Sequence, residues 1–447
     1  MRAVVTLPPR QYRRVSRAAY PESQRPSGCT IVVGNEFSVL FWRTAAVMGE
    51  QVSYGSVRTA HVPDTPAAIA QLTEILSAQP GSGPRAIDGP FALYGAGKLG
   101  CMAMDFFRHA RLAPTIVVDA NADQVRDVPS WQSCNVLLPS EVPSHLKRAL
   151  PLVVSVATVC FTELAESLQS QGWRDVVPLY DVMEAYRRCY PIGNGWFMGD
   201  LNGSEQQMVE QVLAGWSDDM SRAHHLQFIA WHRLRQDWVF ENAPIDLEHR
   251  YFIPEVVSLL GDHEVFVDVG AHRGETTKVF RETVENRFEE IVMFEPDTCN
   301  ADVIKEGLAS LPEGVRRRHR LLAQALCRRA GKQRFFSQLG YGSQLCGFGR
   351  EVVEVTALDD TDVAPSYLKL HLEGHELNAL QGAEKTIRRH RPIIAVTTYH
   401  SEAGLWKLPL WLMNTLTDYR FYLRLHSWCG TGAVMYCLPN KRGYASA

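Results

Sequence analysis

Residues 266–274 read Phe-Val-Asp-Val-Gly-Ala-His-Arg-Gly, an apolar strand that runs into an acid and then into a glycine turn. A second apolar strand, Ile291-Val-Met-Phe294, follows about twenty residues on and ends in Glu295, Pro296 and Asp297. This pairing is how an open α/β sheet holds a nucleoside. The turn lets backbone approach the ligand, and the second acid accepts the ribose hydroxyls. The turn itself is Asp268-x-Gly270-Ala271-x-x-Gly274, which is not the G-x-G-x-x-G of dinucleotide sites.

Working outward, five strands are expected, at Val265–Val269, Ile291–Phe294, Arg320–Leu326, Tyr367–Leu372 and Ile393–Thr398. Polar residues gather where these strands end: Asp268 and Gly270, then Glu295, then Gln324 with Ala325, then His371 and Glu373, then Tyr399 and His400. Ligands of open α/β sheets bind outside the carboxyl ends of the strands, so independent strands aim at one crevice. This domain is placed at residues 251–440.

Within it, the run Leu368-Lys-Leu-His-Leu-Glu373-Gly374-His-Glu376-Leu-Asn-Ala-Leu-Gln-Gly382-Ala resembles the FkbM-type methyltransferase family. So do Asp268-Val-Gly270-Ala, Phe294-Glu295-Pro296, Gln324-Ala-Leu, Val355-Thr-Ala-Leu358-Asp359, Arg391-Pro392-Ile-Ile, and a tail with Tyr399-His400, Leu405-Trp406-Lys-Leu-Pro409 and Tyr419 to His426. The resemblance implies a class I fold that binds S-adenosyl-L-methionine (SAM) and methylates a hydroxyl, often on a sugar of a glycan or secondary metabolite. The family's fourth-strand motif usually reads Lys-Ile-Asp-x-Glu-Gly; here His371 stands where the aspartate would be.

Roles follow for these residues. Backbone amides from Gly270 through Ala271 to Gly274, opening a helix, favour the SAM carboxylate or nearby polar groups. Asp268 orients the loop or meets the SAM ammonium. Glu295, followed by Pro296, takes the ribose diol, and Gln324 and Ala325 lie near the adenine. A sugar hydroxyl is a poor nucleophile, so a general base helps. His371, which titrates near neutrality when unperturbed, is the first candidate, followed by His400 and Glu373. Each also has a plain structural reading, as a cap or a hydrogen-bonded wall residue. His371, Glu373, His400 and His426 lack short ligand spacing on one helix, so no metal is assigned.

Upstream lies a second strand–turn–helix. Phe91 to Tyr94 precede Gly95-Ala-Gly97-Lys-Leu-Gly100, and the next strand, Thr115-Ile-Val-Val, ends at Asp119. Gly95 permits the tight turn, Gly97 lets a phosphate approach, Gly100 allows close helix packing, and Asp119 is placed for a ribose. Further strand-like runs at Leu152 and Asp175–Pro178, with a helix over 162–171, complete a Rossmann-like domain at residues 86–190. It resembles the small modules of polysaccharide-biosynthesis proteins, which implies a nucleotide or nucleotide-sugar ligand. No Tyr-x-x-x-Lys or similar redox constellation follows, so NAD chemistry would lack its catalytic residues. Residues 191–250 read as a helical connector, helical throughout 203–240, with Ser204 and Gln207 as a capping box. Residues 1–85 are an ill-defined extension and linker, with a short strand at Ile31–Val33 and a helix at Pro66–Ala78.

The chain of 447 residues is long enough for two or three domains, and its net charge of −3 gives no global field for nucleic acid. No apolar run is long enough to span a bilayer. Ten scattered cysteines without a C-x-x-C pair fit reduced thiols in a cytoplasmic protein. Arg2, Arg10, Arg13, Arg14 and Arg17 give a basic start, but Pro8 and Pro9 would break a transit helix, so it is read as disordered. The expectation is an α/β protein of two Rossmann-like domains joined by a helical connector: a SAM-dependent O-methyltransferase for a small-molecule or glycan acceptor, with homo-oligomerisation left open. Its rivals are a NAD-dependent nucleotide-sugar oxidoreductase and a non-catalytic binding protein on a degenerate methyltransferase fold.

Overall fold

The structure, a computed structural model, describes residues 54–81 and 83–442. The basic start and the strand expected at Ile31–Val33 lie outside the described residues.

Strand β1 (Gly55–Thr59) leads into a helix over Thr65–Ser77. Asp64 caps that helix by accepting the Ala67 N–H at 3.0 Å, and Pro66 sits in the first turn, where no N–H is needed. Strands β2 (Ala92–Tyr94), β3 (Ile116–Val118), β4 (Val136–Leu137), β5 (Leu152–Val154) and β6 (Val176–Pro178) form a parallel sheet in the order β4-β3-β2-β5-β6. Strands β3, β5 and β6 are buried along their whole length, which is why they read as apolar runs rather than as alternations. The order reverses beside β2, so a crevice opens above its carboxyl end, where the Gly95 loop lies.

The connector is not helical throughout. Two helices, Gly203–Gly215 and Asp219–Leu234, are followed by strand β7 (Gln236–Phe240), which pairs in parallel with β1. The chain breaks at 216–218 because Asp218 turns its carboxylate onto the Ser221 N–H as a new cap, while the Ser217 N–H bonds Phe421 O. It breaks again at Arg235, which caps the second helix in a left-handed conformation (φ 54°). The capping box is Asn202 with Glu205, not Ser204 with Gln207, since Asn202 has the extended backbone that a cap requires.

The carboxy-terminal sheet contains β8 (Val265–Val269), β9 (Glu290–Phe294), β10 (His319–Leu322), and later β15 (Tyr367–Leu370), β16 (Ile393–Thr397), β17 (Tyr419–Leu425) and β18 (Ala433–Pro439). Its order is β10-β9-β8-β15-β16-β18-β17, parallel except that β18 runs against both neighbours. The strand expected over 320–326 is split. β10 pairs with β9 only to Leu322, and β11 (Ala325–Leu326) joins a separate sheet with β12 (Gly331–Phe336), β13 (Gln344–Leu345) and β14 (Glu351–Thr356). Ala325, Leu326, Phe335 and Leu345 of that small sheet share a cavity with Gly270 and Glu295, which follow β8 and β9.

One core is shared by the connector helices and the carboxy-terminal sheet. A second fills the amino-terminal sheet and also takes in Leu339 and Cys429 from the far end of the chain. Ion pairs cross these boundaries: Arg235 Nε lies 3.0 Å from Asp181 with both side chains dry, and the buried Arg424 holds the half-buried Asp218 at 2.6 Å and Glu255 at 2.8 Å. Among the described residues, no helix is long and apolar enough to cross a membrane.

Candidate active site

The β8 loop takes its shape from contacts inside the protein. Gly270 has φ +73°, and a Cβ there would run into the carbonyl oxygen of His371, so only glycine lets the ends of β8 and β15 touch. The Gly270 and Ala271 N–H groups donate to Phe294 O at 3.0 and 3.2 Å, and the Gly274 N–H to Ala271 O at 2.8 Å. His272 N–H reaches Glu295 Oε2 at 2.7 Å and Arg273 N–H reaches Glu275 Oε2 at 3.2 Å. The expectation that these amides face a ligand carboxylate is not met in this conformation, because each already has a partner. Asp268 is fully buried; it accepts from Thr277 Oγ1 and Lys369 Nζ, both at 2.8 Å. Lys369 also donates to Gly270 O at 2.9 Å, so the pair fixes the loop. Sequence reading passed over Lys369, although a lysine in the otherwise apolar Tyr367–Leu370 was a signal.

Beside the loop lies a cavity lined by Gly270, Glu295, Pro296, Ala325, Leu326, Phe335, Leu345, His371 and His375, among others. Four of the expected cofactor residues thus meet in one place: Gly270, Glu295, Pro296 and Ala325. Asp268, Ala271, Gly274 and Gln324 do not line it. Glu295 is 5% exposed and accepts two backbone N–H bonds, from His272 and from Asp297 at 2.9 Å. Burial pushes its carboxyl up to about 7, against the pull of those two donors. Asp297 ties down the overhanging segment by accepting from the Gln338 N–H at 2.9 Å and Ser343 Oγ at 2.8 Å.

Beyond the ends of β15 and β16, three residues converge. His371, Glu373 and His400 bring ligand atoms within 4.8 Å of one another, whereas His426 turns away to Asp246 O and to the Tyr436 hydroxyl. Glu373 adopts a left-handed backbone (φ 50°), which places its Oε1 3.0 Å from His371 Nε2 and 3.2 Å from His400 Nε2. The latter nitrogen has no well-aligned hydrogen bond. His400 Nδ1 meets Glu376 Oε1 at 2.8 Å.

Their protonation states divide. Burial would lower His400, but Glu373 and Glu376 outweigh it and hold the imidazole charged well above its usual range. Burial would raise Glu373, but His400 and His371 keep it ionised. Burial lowers His371 to about 3, only partly opposed by its bond to Glu373. Its side chain is 18% exposed, so water in the cleft moderates that depression. His371 Nδ1 meets the Tyr251 hydroxyl at 2.9 Å and its Nε2 the Tyr399 hydroxyl at 3.2 Å. The expectation of a histidine titrating near neutrality is therefore corrected: His371 is neutral and weakly basic, and His400 is a cation.

His371 also lines a second, larger cleft of about 240 Å³. Its carboxy-terminal wall is Arg250, Tyr341, Gly342, Glu373 and Tyr399; its amino-terminal wall is Lys98, Leu99, Met102, Tyr180, Ile192 and Asn194. The Gly95 loop therefore leads into this cleft. Gly95 (φ +102°) makes the turn, Gly100 packs against Gly95 O where a Cβ would clash, and the space beside Gly97 is open. Asp119 is spent on the loop: its oxygens accept the Ala96 N–H at 2.6 Å and the Asn121 N–H at 2.7 Å. Arg250, Asn194 and Tyr251 carry no motif and were beyond sequence reading.

Residues 268–426 match the profile of the FkbM methyltransferase domain. No curated protein matches the chain. Among solved structures, the methyltransferase FkbM from Methylobacillus flagellatus KT is similar in fold, at 17% identity, over 83% of this chain and 98% of that one, with a TM-score of 0.52. Such coverage extends well beyond 268–426 into the amino-terminal sheet. An rRNA methylase from Streptococcus thermophilus (12% identity; 44% and 99% covered; TM-score 0.28) and a precorrin-6y C5,15-methyltransferase from Geobacter metallireducens GS-15 (14%; 44% and 95%; 0.27) are too distant to bear on function. The carboxy-terminal part of the chain carries an FkbM methyltransferase domain, and the protein is a class I SAM-dependent methyltransferase.

Proposed function

We propose that the protein is an O-methyltransferase acting on a hydroxyl of a sugar, glycan or nucleotide-sugar-like acceptor held between its two sheets. The observation that carries this reading is the position of His371, the one residue in the expected catalytic set that lines both the Glu295 cavity and the larger cleft. A cofactor held in the Glu295 cavity would thus face a hydroxyl held in the cleft across that imidazole.

The residues present fit SAM. Ala325, Leu326, Phe335 and Leu345 offer apolar surface for an adenine, and Glu295 keeps lone pairs for a ribose diol beyond its two backbone bonds. When bound, SAM supplies an electrophilic methyl group. The acceptor hydroxyl displaces the Tyr251 hydroxyl from His371 Nδ1 and passes its proton there, Glu373 beside Nε2 compensates the imidazolium that forms, and the charged His400 holds Glu373 in place. An imidazole depressed this far is a weak base, so alignment supplies most of the acceleration. The amino-terminal sheet is read as a Rossmann-like module that holds the remainder of the acceptor. The placement of Lys98, Leu99 and Met102 on the cleft favours this over a separate NAD site.

The test is transfer of labelled methyl from SAM to a panel of nucleotide sugars and glycosides. His371→Ala is expected to lower kcat by about 10²–10⁴-fold while binding of S-adenosylhomocysteine is unchanged. An unchanged kcat, or transfer to nitrogen acceptors only, contradicts the reading.

A further inference from the structure

The cleft between the sheets holds a positive charge without a counter-ion. Arg250 lines it, and among the described residues no carboxylate lies within 4.0 Å of its guanidinium. Its partners are aromatic: Nη2 donates to the Tyr399 hydroxyl at 2.9 Å, and the group lies 5.3 and 5.4 Å from the ring centres of Tyr251 and Tyr399. Its Nε is buried and has no hydrogen-bond partner. A half-buried guanidinium that lacks an acid is costly, and a ligand anion reduces that cost. Glu373, the acid on the same wall, is already held by His371 and His400.

The opposite wall has the same character. Lys98 begins a 13-residue helix whose cap, Gly97, offers no side-chain oxygen to the first-turn amides. Those amides and Lys98 form a ready site for negative charge, and nothing stands within 4 Å of where a Gly97 side chain would be. Next to them Asn194, 7% exposed, presents a buried Oδ1 with no partner, an acceptor waiting for a hydroxyl or amide donor. Among the described residues, the cleft thus combines two cations that lack a paired acid with one unpaired hydrogen-bond acceptor.

We propose that the acceptor enters this cleft by an anionic group, phosphoryl or carboxylate, carried on the same molecule as the methylated hydroxyl. Arg250 grips it from one sheet, Lys98 and its helix start grip it from the other, and Asn194 Oδ1 receives a neighbouring hydroxyl. This rests on the acceptor reading above and narrows it: uncharged glycosides are poor substrates. The carboxylate of SAM is a second source of the same chemistry, and the test separates the two.

UDP-glucose, inorganic pyrophosphate and methyl glucoside are titrated by calorimetry into the full chain saturated with S-adenosylhomocysteine. S-adenosylhomocysteine is also titrated alone. UDP-glucose and pyrophosphate are expected to bind and methyl glucoside not to. Lys98→Met and Arg250→Met should each weaken UDP-glucose at least tenfold, Arg250→Lys should restore part of the loss, and Asn194→Leu should weaken UDP-glucose but not pyrophosphate. Binding of S-adenosylhomocysteine should be unchanged in all four variants, which also reports that they are folded and that the methyltransferase reading stands. The proposal is overturned if neither anion binds, or if Lys98→Met and Arg250→Met leave UDP-glucose unaffected. It is equally overturned if Arg250→Met weakens S-adenosylhomocysteine tenfold and spares UDP-glucose, since the guanidinium then serves the cofactor.

Discussion

Glu295 illustrates how one residue can be legible by position and unexpected in state. Its place at the end of β9 follows from the sequence, because an apolar strand that stops at an acid leaves that acid on the sheet's carboxyl edge. Its raised pKa does not, because it comes from burial under the segment that Asp297 anchors. A folded-state pKa of about 7, above the unfolded value, means that the folded chain keeps the proton through mild acid. Stability from this group is full below pH ~4.3 and is lost as pH rises through about 7. Cofactor binding runs the other way, since the ionised form accepts both ribose hydroxyls. Affinity for S-adenosylhomocysteine should therefore rise by up to about tenfold from pH 6 to 8. In Glu295→Gln that rise should vanish, and the melting temperature at pH 8 should not fall below that of the wild type. Differential scanning calorimetry and titration at three pH values check both.

At the scale of elements, the strands β8, β9, β15 and β16 and the glycine turn were readable because burial on both faces writes itself as continuous apolar runs between turn residues. The connector was misread because polar residues run through its buried helix, such as Arg222, His224 and Arg233, just as they do through the break at Ser217, Asp218 and Asp219 and the start of β7 at Gln236 and Asp237, and only tertiary bonds such as Ser217 N–H to Phe421 O decide where the helix ends. The small sheet of β11 to β14 was missed for a related reason: its strands alternate weakly and Val352 is exposed. The contact between Gly270 and β15 is the junction most sensitive to change. Gly270→Ala combines positive φ with a clash against His371 O, so it should destabilise the fold by about 1–3 kcal/mol and move His371. Urea unfolding measures the first effect, and a fall in kcat in the direction expected of His371→Ala the second. A variant as stable as wild type with intact kcat would show that the loop does not need this approach.

For the whole molecule, the sequence suggested two nucleotide-binding units with a spacer between them. The structure gives a cleft with walls from both parts, and the connector braces it. Trp196 donates to Tyr399 O at 2.8 Å and stacks on His232 at 3.6 Å, so the connector touches the site directly. That arrangement was not legible, because Arg250, Asn194 and Tyr399 acquire their meaning only when distant segments meet. The Arg235–Asp181 pair, dry on both sides, is the main electrostatic tie between connector and amino-terminal sheet. Removing one partner leaves a buried charge, so Arg235→Met should cost about 3–5 kcal/mol, read as a lowered urea midpoint. Asp181→Asn with Arg235→Met together should recover part of that loss.

The most direct measurement on this molecule is calorimetric titration of S-adenosylhomocysteine into the wild type and Glu295→Ala at pH 8, with folding of the variant checked by its melting curve. Saturable one-to-one binding that weakens at least about tenfold in the variant is the outcome expected of a ribose diol held by Glu295. Equal affinity in the two proteins would place the cofactor elsewhere and contradict the assignment of the Glu295 cavity.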